Sequence, residues 1–321
     1  MTNLIDSVKR RTPQELPIVV EILPAAWLKH KGMLRDALTP YEDICGVMPY
    51  TTDISMPHRY EEGFYTDEWG CLWENRTRGH DGICVAGPSE YINDPEYIMP
   101  PNEMRPFYHG FMFQRILHLF GYENAMIMMA EGGKKLHRVL DTVLEYNLRR
   151  IDAGLYTEKN GICYFGDDLG TQKGLPISPQ TWRNYLKPCY MKIFEPLKQA
   201  GKTVFLHSDG LYTEIIPDLI DCGVDILNVQ GGIQGLPKLR QFQMEYGLTI
   251  DYGINRQTLP RISPIQLNEE LYWVFNVLYH KEGGIWFRAE IAEDVPLSTV
   301  MALMEILRDF KSIHAEYLKG L

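Results

Sequence analysis

Short apolar runs, each closed by polar or glycine-rich residues, recur through the second half of the chain. Runs at 161–165, 202–206, 225–229, 248–252 and 284–287 end in Gly-Asp-Asp, His-Ser-Asp-Gly, Gln-Gly-Gly, Gly-Ile-Asn-Arg and Arg-Ala-Glu. That length suits a buried parallel strand. Between them, Ser178-Pro179 and Ser263-Pro264 each supply an N-cap with proline at the first helical position. The first opens a helix toward Gly201, with Trp182, Tyr185, Leu186, Cys189, Ile193 and Leu197 on one face. The second reaches about His280, and Gly201 and Gly223 stand where helix ends need a left-handed residue. Strand–helix–strand repetition predicts a parallel sheet with right-handed crossovers. Adding 18–22, 44–48 and 125–129 makes eight strand candidates, which favours α/β architecture as a single (β/α)8 TIM barrel over an open doubly wound sheet. Segments 64–69 and 82–85 break the rhythm and predict a β-hairpin insertion in the N-terminal half. No repeat or linker divides the chain, so residues 1–321 read as one domain.

Composition narrows the partners. The chain is 45% hydrophobic and 23% charged, an ordinary globular profile. Its net charge of −10 comes without any Lys/Arg block, so no nucleic-acid partner is expected. No apolar run approaches the roughly 18 residues of a membrane span. Charged residues follow Met1 almost at once, so no signal peptide and no membrane association are expected. Six cysteines without a C-x-x-C pair read as reduced thiols of a cytoplasmic protein.

In an α/β barrel the chemistry sits just after the strands, on one rim. That places Glu21, Asp167, Asp168, His207, Asp209, Asn228, Gln230, Asn255, Arg256, Arg288 and Glu290 among the candidates. Any one of them serves equally well as a helix cap or turn former. Together they predict a functional rim. His207 and Asp209 are the sharpest pair, because neutral imidazole and carboxylate both suit zinc. Phosphate loops, G-x-S-x-G and H-E-x-x-H are absent from the sequence. Trp27, Tyr65, Trp69, Trp73 and Trp286 fit either a core or an aromatic-lined pocket, while Met126, Met128 and Met129 read as core strand.

Several of these residues fall in an ordered succession that resembles the uroporphyrinogen decarboxylase (URO-D) superfamily. It runs roughly from Gly63 to Leu307 and includes Thr66-Asp67-Glu68-Trp69-Gly70, Phe165-Gly166-Asp167-Asp168-Leu169-Gly170-Thr171-Gln172 and Leu206-His207-Ser208-Asp209-Gly210. Ile216-Pro217-Asp218-Leu219-Ile220 and Gly223-Val224-Asp225-Ile226-Leu227-Asn228 continue it. The resemblance implies a (β/α)8 barrel. The decarboxylases carry an arginine-rich motif after the first strand, but Val20-Glu21-Ile22-Leu23-Pro24-Ala25-Ala26-Trp27 has no arginine for a polycarboxylate tetrapyrrole. The closer likeness is to the corrinoid-dependent methyltransferase branch, some members of which hold zinc by His-x-Cys and a distant Cys. Here Asp209 and Ala289 occupy the two Cys positions, with Glu290 adjacent, so the implied ligand set is His207, Asp209 and Glu290.

The resemblance then implies transfer of a methyl group from a small O-methylated compound, such as a methoxyaromatic, to cobalamin carried by a partner corrinoid protein. His207, Asp209, Asp167 and Asp168 would act in catalysis. Glu21, Tyr65, Trp69, Gln172, Gln230, Tyr252, Asn255 and Arg288 would bind substrate. Two other readings stay open: a decarboxylase or lyase of a small carboxylic acid, gripped by Arg288 or Arg256, and a non-catalytic ligand-binding barrel. Oligomeric state is open as well, a homodimer included.

Overall fold

A computed structural model of the chain describes residues 2–46, 58–90, 98–104 and 109–320. They divide into two compact units. The first comprises Met1–Glu62, Asn75–Asp81 and Gln230–Leu321, and the second comprises Gly63–Glu74 and Gly82–Val229. Ten strands occur among the described residues: β1 (Ile18–Ile22), β2 (Gly63–Thr66), β3 (Leu72–Asn75), β4 (Ile83–Ala86), β5 (Thr157–Lys159), β6 (Ile162–Gly166), β7 (Thr203–Ser208), β8 (Ile226–Gln230), β9 (Thr249–Gly253) and β10 (Ile285–Ile291).

In the first unit, β10 lies between β1 and β9, parallel to both. β9 and β10 are mostly buried, as strands covered on both faces are, whereas β1 is only half-buried. Helices Pro264–Leu278 and Leu297–Lys319 return the chain along the sheet. Phe275 stacks on Phe310 at 4.4 Å between ring centres, and both meet Phe287 of β10. The Ser263 signal forms a full capping box: its hydroxyl accepts from the Gln266 N–H while Gln266 reaches back.

In the second unit, β6, β7 and β8 run parallel, and β5 adds an antiparallel edge to β6. Ser178 caps the helical run from Pro179 to Gln199 as the sequence predicts, with one π-helical turn at Trp182–Leu186. The insertion is a three-stranded sheet, β2-β3-β4, one strand richer than a hairpin. Asp67 builds its corner. The Asp67 carboxylate accepts from the Trp69 and Cys71 N–H groups, from the Trp73 indole and from Arg115 at 2.6 Å. The insertion is thereby bound to helix Phe113–Phe120, which carries Arg115.

Two strand expectations are corrected. Residues 125–129 lie inside helix Tyr122–Glu131, where Ala125, Met128 and Met129 are buried and Ile127 is exposed. That is helical periodicity, and Ala and Met favour it once Gly121 and Gly132 bound the segment. Ile44 and Cys45 end a helical turn, Glu42–Cys45, and positions 47 and 48 fall outside the described residues. No helix among the described residues is long and apolar enough to cross a membrane.

Candidate functional site

The second unit gathers two imidazoles around one carboxylate. Asp168 follows β6, His207 is near the end of β7, and His109 precedes helix Phe113–Phe120. His109 Nε2 lies 3.1 Å from Asp168 Oδ2, and His207 Nε2 lies 3.5 Å from Asp168 Oδ1. The three donor atoms all fall within 4.8 Å of one another. Their side chains are 38%, 30% and 33% exposed in the order His109, Asp168, His207, so a ligand can reach each of them.

Local backbone geometry explains the convergence. Gly110 N–H donates to the Gly166 carbonyl at 2.7 Å, and a Cβ on Gly166 would strike His109 Nδ1 at 2.4 Å. Only glycine at 166 lets the imidazole lie over the strand end. The loops after β6 and β7 are also joined, with Gly170 N–H donating to the Asp209 carbonyl, Leu211 N–H to the Thr171 carbonyl and Leu169 N–H to Ser208 Oγ. Gly210 packs against Gly170, where a Cβ would stand 2.2 Å from backbone.

Asp167 does a different job from its neighbour. It is fully buried and accepts from the N–H groups of Met112, Phe113 and Gln114 and from the Tyr190 hydroxyl. The carboxylate thus sits on the N-terminus of helix Phe113–Phe120, where orphan donors and the helix dipole favour a negative charge. Burial pushes its carboxyl above the usual range, while Tyr190 and the helix N–H groups oppose the rise. Asp167 presents no surface to solvent. It holds the helix that delivers His109 and Gln114.

Asp168 is the hub. Burial disfavours its charge, but the His109 hydrogen bond, the His109 and His207 imidazoles and the Asp209 N–H together hold it well below the usual carboxylate range. Gln114 Nε2 adds a 2.8 Å bond to Oδ2, and the Asp209 N–H lies 3.0 Å from Oδ1. His109 answers in kind. Burial lowers its basicity, yet the Asp168 hydrogen bond and the Asp168, Asp167 and Asp209 charges raise it above the ordinary imidazole value. Asp209 is 54% exposed at the rim, 3.9 Å from His207 Nε2.

This donor set suits a divalent metal. Zinc bonds of about 2.0–2.2 Å put neighbouring tetrahedral ligand atoms about 3.3–3.6 Å apart, and the three donor atoms here lie within 4.8 Å of one another, each imidazole next to a different oxygen of Asp168. Among the described residues, His207 Nε2 makes no hydrogen bond and the buried Gln114 Oε1 has no partner. The group differs from the His207, Asp209 and Glu290 set. Glu290 belongs to the first unit and pairs with Arg256. His109 escaped the sequence reading because it lies 98 positions from His207, in no strand and no periodic segment.

The remaining candidates distribute as follows. Tyr65 stacks on Trp73 at 5.9 Å, whereas Trp69 is buried edge-on to Tyr146. Gln172 is exposed in the turn after β6. In the first unit, Arg288 donates to the fully buried Asp251 at 2.8 Å and to Glu21. Gln230 ends β8 half-buried, Tyr252 is buried in β9, and Asn255 Oδ1 accepts from the Gln257 N–H as a turn former.

Comparison with known proteins agrees with this architecture. The family model of uroporphyrinogen decarboxylase (URO-D) matches residues 116–240, a span that contains Asp168 and His207. The chain is similar to a solved methyltransferase from Methanosarcina mazei, with TM-score 0.65 and 17% identity over 96% of this chain and 98% of that one. A B12-independent methionine synthase from Shewanella sp. W3-18-1 aligns at TM-score 0.39 and 10% identity, over 82% and 77% of the two chains. No curated protein matches in sequence. The fold is α/β and TIM-barrel-like, and the resemblance to the URO-D superfamily is matched in sequence over residues 116–240.

Proposed function

We propose that this chain is a methyltransferase that moves a methyl group from a small O-methylated compound, methoxyaromatics included, to a corrinoid protein. The cluster of His109, Asp168 and His207 carries the reading, because it offers three metal-ligand atoms, two of them at the C-terminal ends of parallel strands, where such folds keep their chemistry. The URO-D match and the likeness to the Methanosarcina mazei methyltransferase support the reaction class. These three residues would hold zinc or a similar divalent ion, which would stabilise the negative charge developing on the leaving oxygen.

The chain's own groups prepare that site. Asp168 stays ionised across the physiological range, since its carboxyl is held low. Gln114 and the Asp209 N–H fix the orientation of Asp168 by donating to its two oxygens. Asp209, exposed beside His207, can pass a proton between the site and solvent. Tyr65 and Trp73, stacked face to face, would offer an aromatic wall to a methoxyaromatic donor. A carboxylate-gripping lyase has less support, because Arg288 and Arg256 already engage carboxylates of this chain.

The test combines metal analysis with turnover. Protein purified without chelator should carry stoichiometric divalent metal that Asp168→Asn loses. Mixed with a reduced corrinoid protein and a panel of methoxy compounds, it should give the methylcobalamin spectrum with at least one donor. Carbon dioxide release from a carboxylic acid panel, with no methylcobalamin from any donor, would overturn the proposal.

A further inference from the structure

Asn228 stands directly behind His207. The two residues are register partners on the parallel strands β7 and β8, and Asn228 is buried. Its Oδ1 lies 2.5 Å from His207 Nδ1. An amide oxygen can only accept, so this contact requires a proton on Nδ1. The opposite nitrogen, Nε2, makes no hydrogen bond among the described residues and instead faces Asp168 at 3.5 Å and Asp209 at 3.9 Å. A free neutral imidazole prefers the reverse arrangement, with its proton on Nε2. Something must override that preference here, and Asn228 is the group in contact.

We propose that Asn228 is a positioning residue that holds neutral His207 as its Nδ1–H tautomer, so that the Nε2 lone pair is presented to the space shared with Asp168 and His109. The lone pair then faces Asp168 Oδ1 at 3.5 Å and Asp209 Oδ1 at 3.9 Å, acceptors that a metal ion or a donor entering between them would meet together. The Nε2–H tautomer would place a proton there instead and set the Nδ1 lone pair against the Asn228 oxygen. The choice of tautomer therefore decides whether His207 acts as a metal ligand or as a hydrogen-bond donor to Asp168. Only the metal-binding consequence rests on the proposed function; the tautomer does not.

Histidine-specific 15N labelling of the metal-free chain at alkaline pH, with two-bond 15N–1H correlation, shows which ring nitrogen carries the proton. Wild type should show His207 as Nδ1–H, Asn228→Ala should move it toward Nε2–H, and Asn228→Asp, which keeps an acceptor, should restore Nδ1–H. If Asn228→Ala fails to fold, Asn228→Ser serves, since its hydroxyl is too short to reach the ring. Zinc titration of the same proteins should show affinity weakened roughly 10–100-fold in Asn228→Ala and recovered in Asn228→Asp. Nε2–H in wild type, or an unchanged tautomer in both Asn228→Ala and Asn228→Ser, would overturn the inference. A wild-type chain that shows Nδ1–H yet binds no zinc would overturn the metal reading and leave the assignment of Asn228 standing.

Discussion

In the unit built on β1, β9 and β10, Arg288 lies between Asp251 and Glu21, and Arg256 meets Glu290. In the unit built on β6, β7 and β8, two imidazoles face Asp168, Asp209 lies alongside, and one imidazole nitrogen has no hydrogen bond among the described residues. Apart from His109, both arrangements arise from polar residues within or just after parallel strands, so sequence position does not separate them. Partnering does. Permanent cations already meet the carboxylates of the first, whereas the second offers acceptors and a lone pair to something with positive charge. An arginine between two carboxylates stabilises a fold; an acceptor-rich cleft with partial exposure is built to receive a ligand.

The sharpest way to break this contrast is substitution at its two hubs. Asp168→Asn should abolish metal retention and lower methyl-transfer turnover by ~10²–10⁴-fold, with little change in melting temperature. Asp251→Ala should do the opposite, costing about 3–5 kcal/mol in urea unfolding because it strips the buried end of Arg288, while zinc affinity stays unchanged. Equal effects of both variants on metal binding would erase the distinction between the two units.

Asp167 sharpens the contrast within a single dipeptide. Asp167→Ala leaves three backbone N–H groups and the Tyr190 hydroxyl without their acceptor, and should cost on the order of 3 kcal/mol while also misplacing His109. Asp167→Asn should recover part of that stability, since one amide oxygen can still accept. Chemical denaturation and zinc titration of the two variants would check both halves of the expectation.

A pH series addresses the insertion. Burial, aided by Arg115, pushes His118 down to about 3. The unfolded chain therefore takes up a proton near pH 6.5 that the folded chain refuses until about 3, so stability falls as pH drops through that window. Asp67 opposes its own burial through Arg115 and ends below the ordinary aspartate value. Its contribution is present above the unfolded pKa of roughly 4 and is lost as pH falls through the folded one. Thermal melts between neutral pH and pH 4 should show the decline, and His118→Gln should flatten its upper part. The smallest effect belongs to the capping box, where Ser263→Ala should cost about 1 kcal/mol and leave the metal site untouched.

Strand spacing and helix starts were legible because both follow local rules. The apolar runs at β6 to β10 fall within one to four residues of their predicted ends, and both Ser-Pro caps appear where expected. The run at 125–129 misled because a short apolar segment carries no period of its own until its neighbours are known. At the site, Asp168 and His207 were visible as post-strand residues. His109 was not, since its place depends on Asp167 seizing a helix N-terminus more than fifty residues away in sequence. The role of Asp67 was likewise hidden inside a motif that reads as chemistry and serves as a corner.

The joined loops after β6 and β7 bear on how the cluster behaves before any ligand arrives. Their contact is made by backbone, through the Gly170–Gly210 approach and the bonds to the Asp209 and Thr171 carbonyls. Segments fixed in this way open rarely, so the amides of Leu169, Gly170 and Leu211 should rank among the slowest-exchanging of any loop amides in hydrogen–deuterium exchange. A ligand entering such a site loses little to ordering the chain, and capture should be limited by shedding its own water rather than by folding of the loops around it.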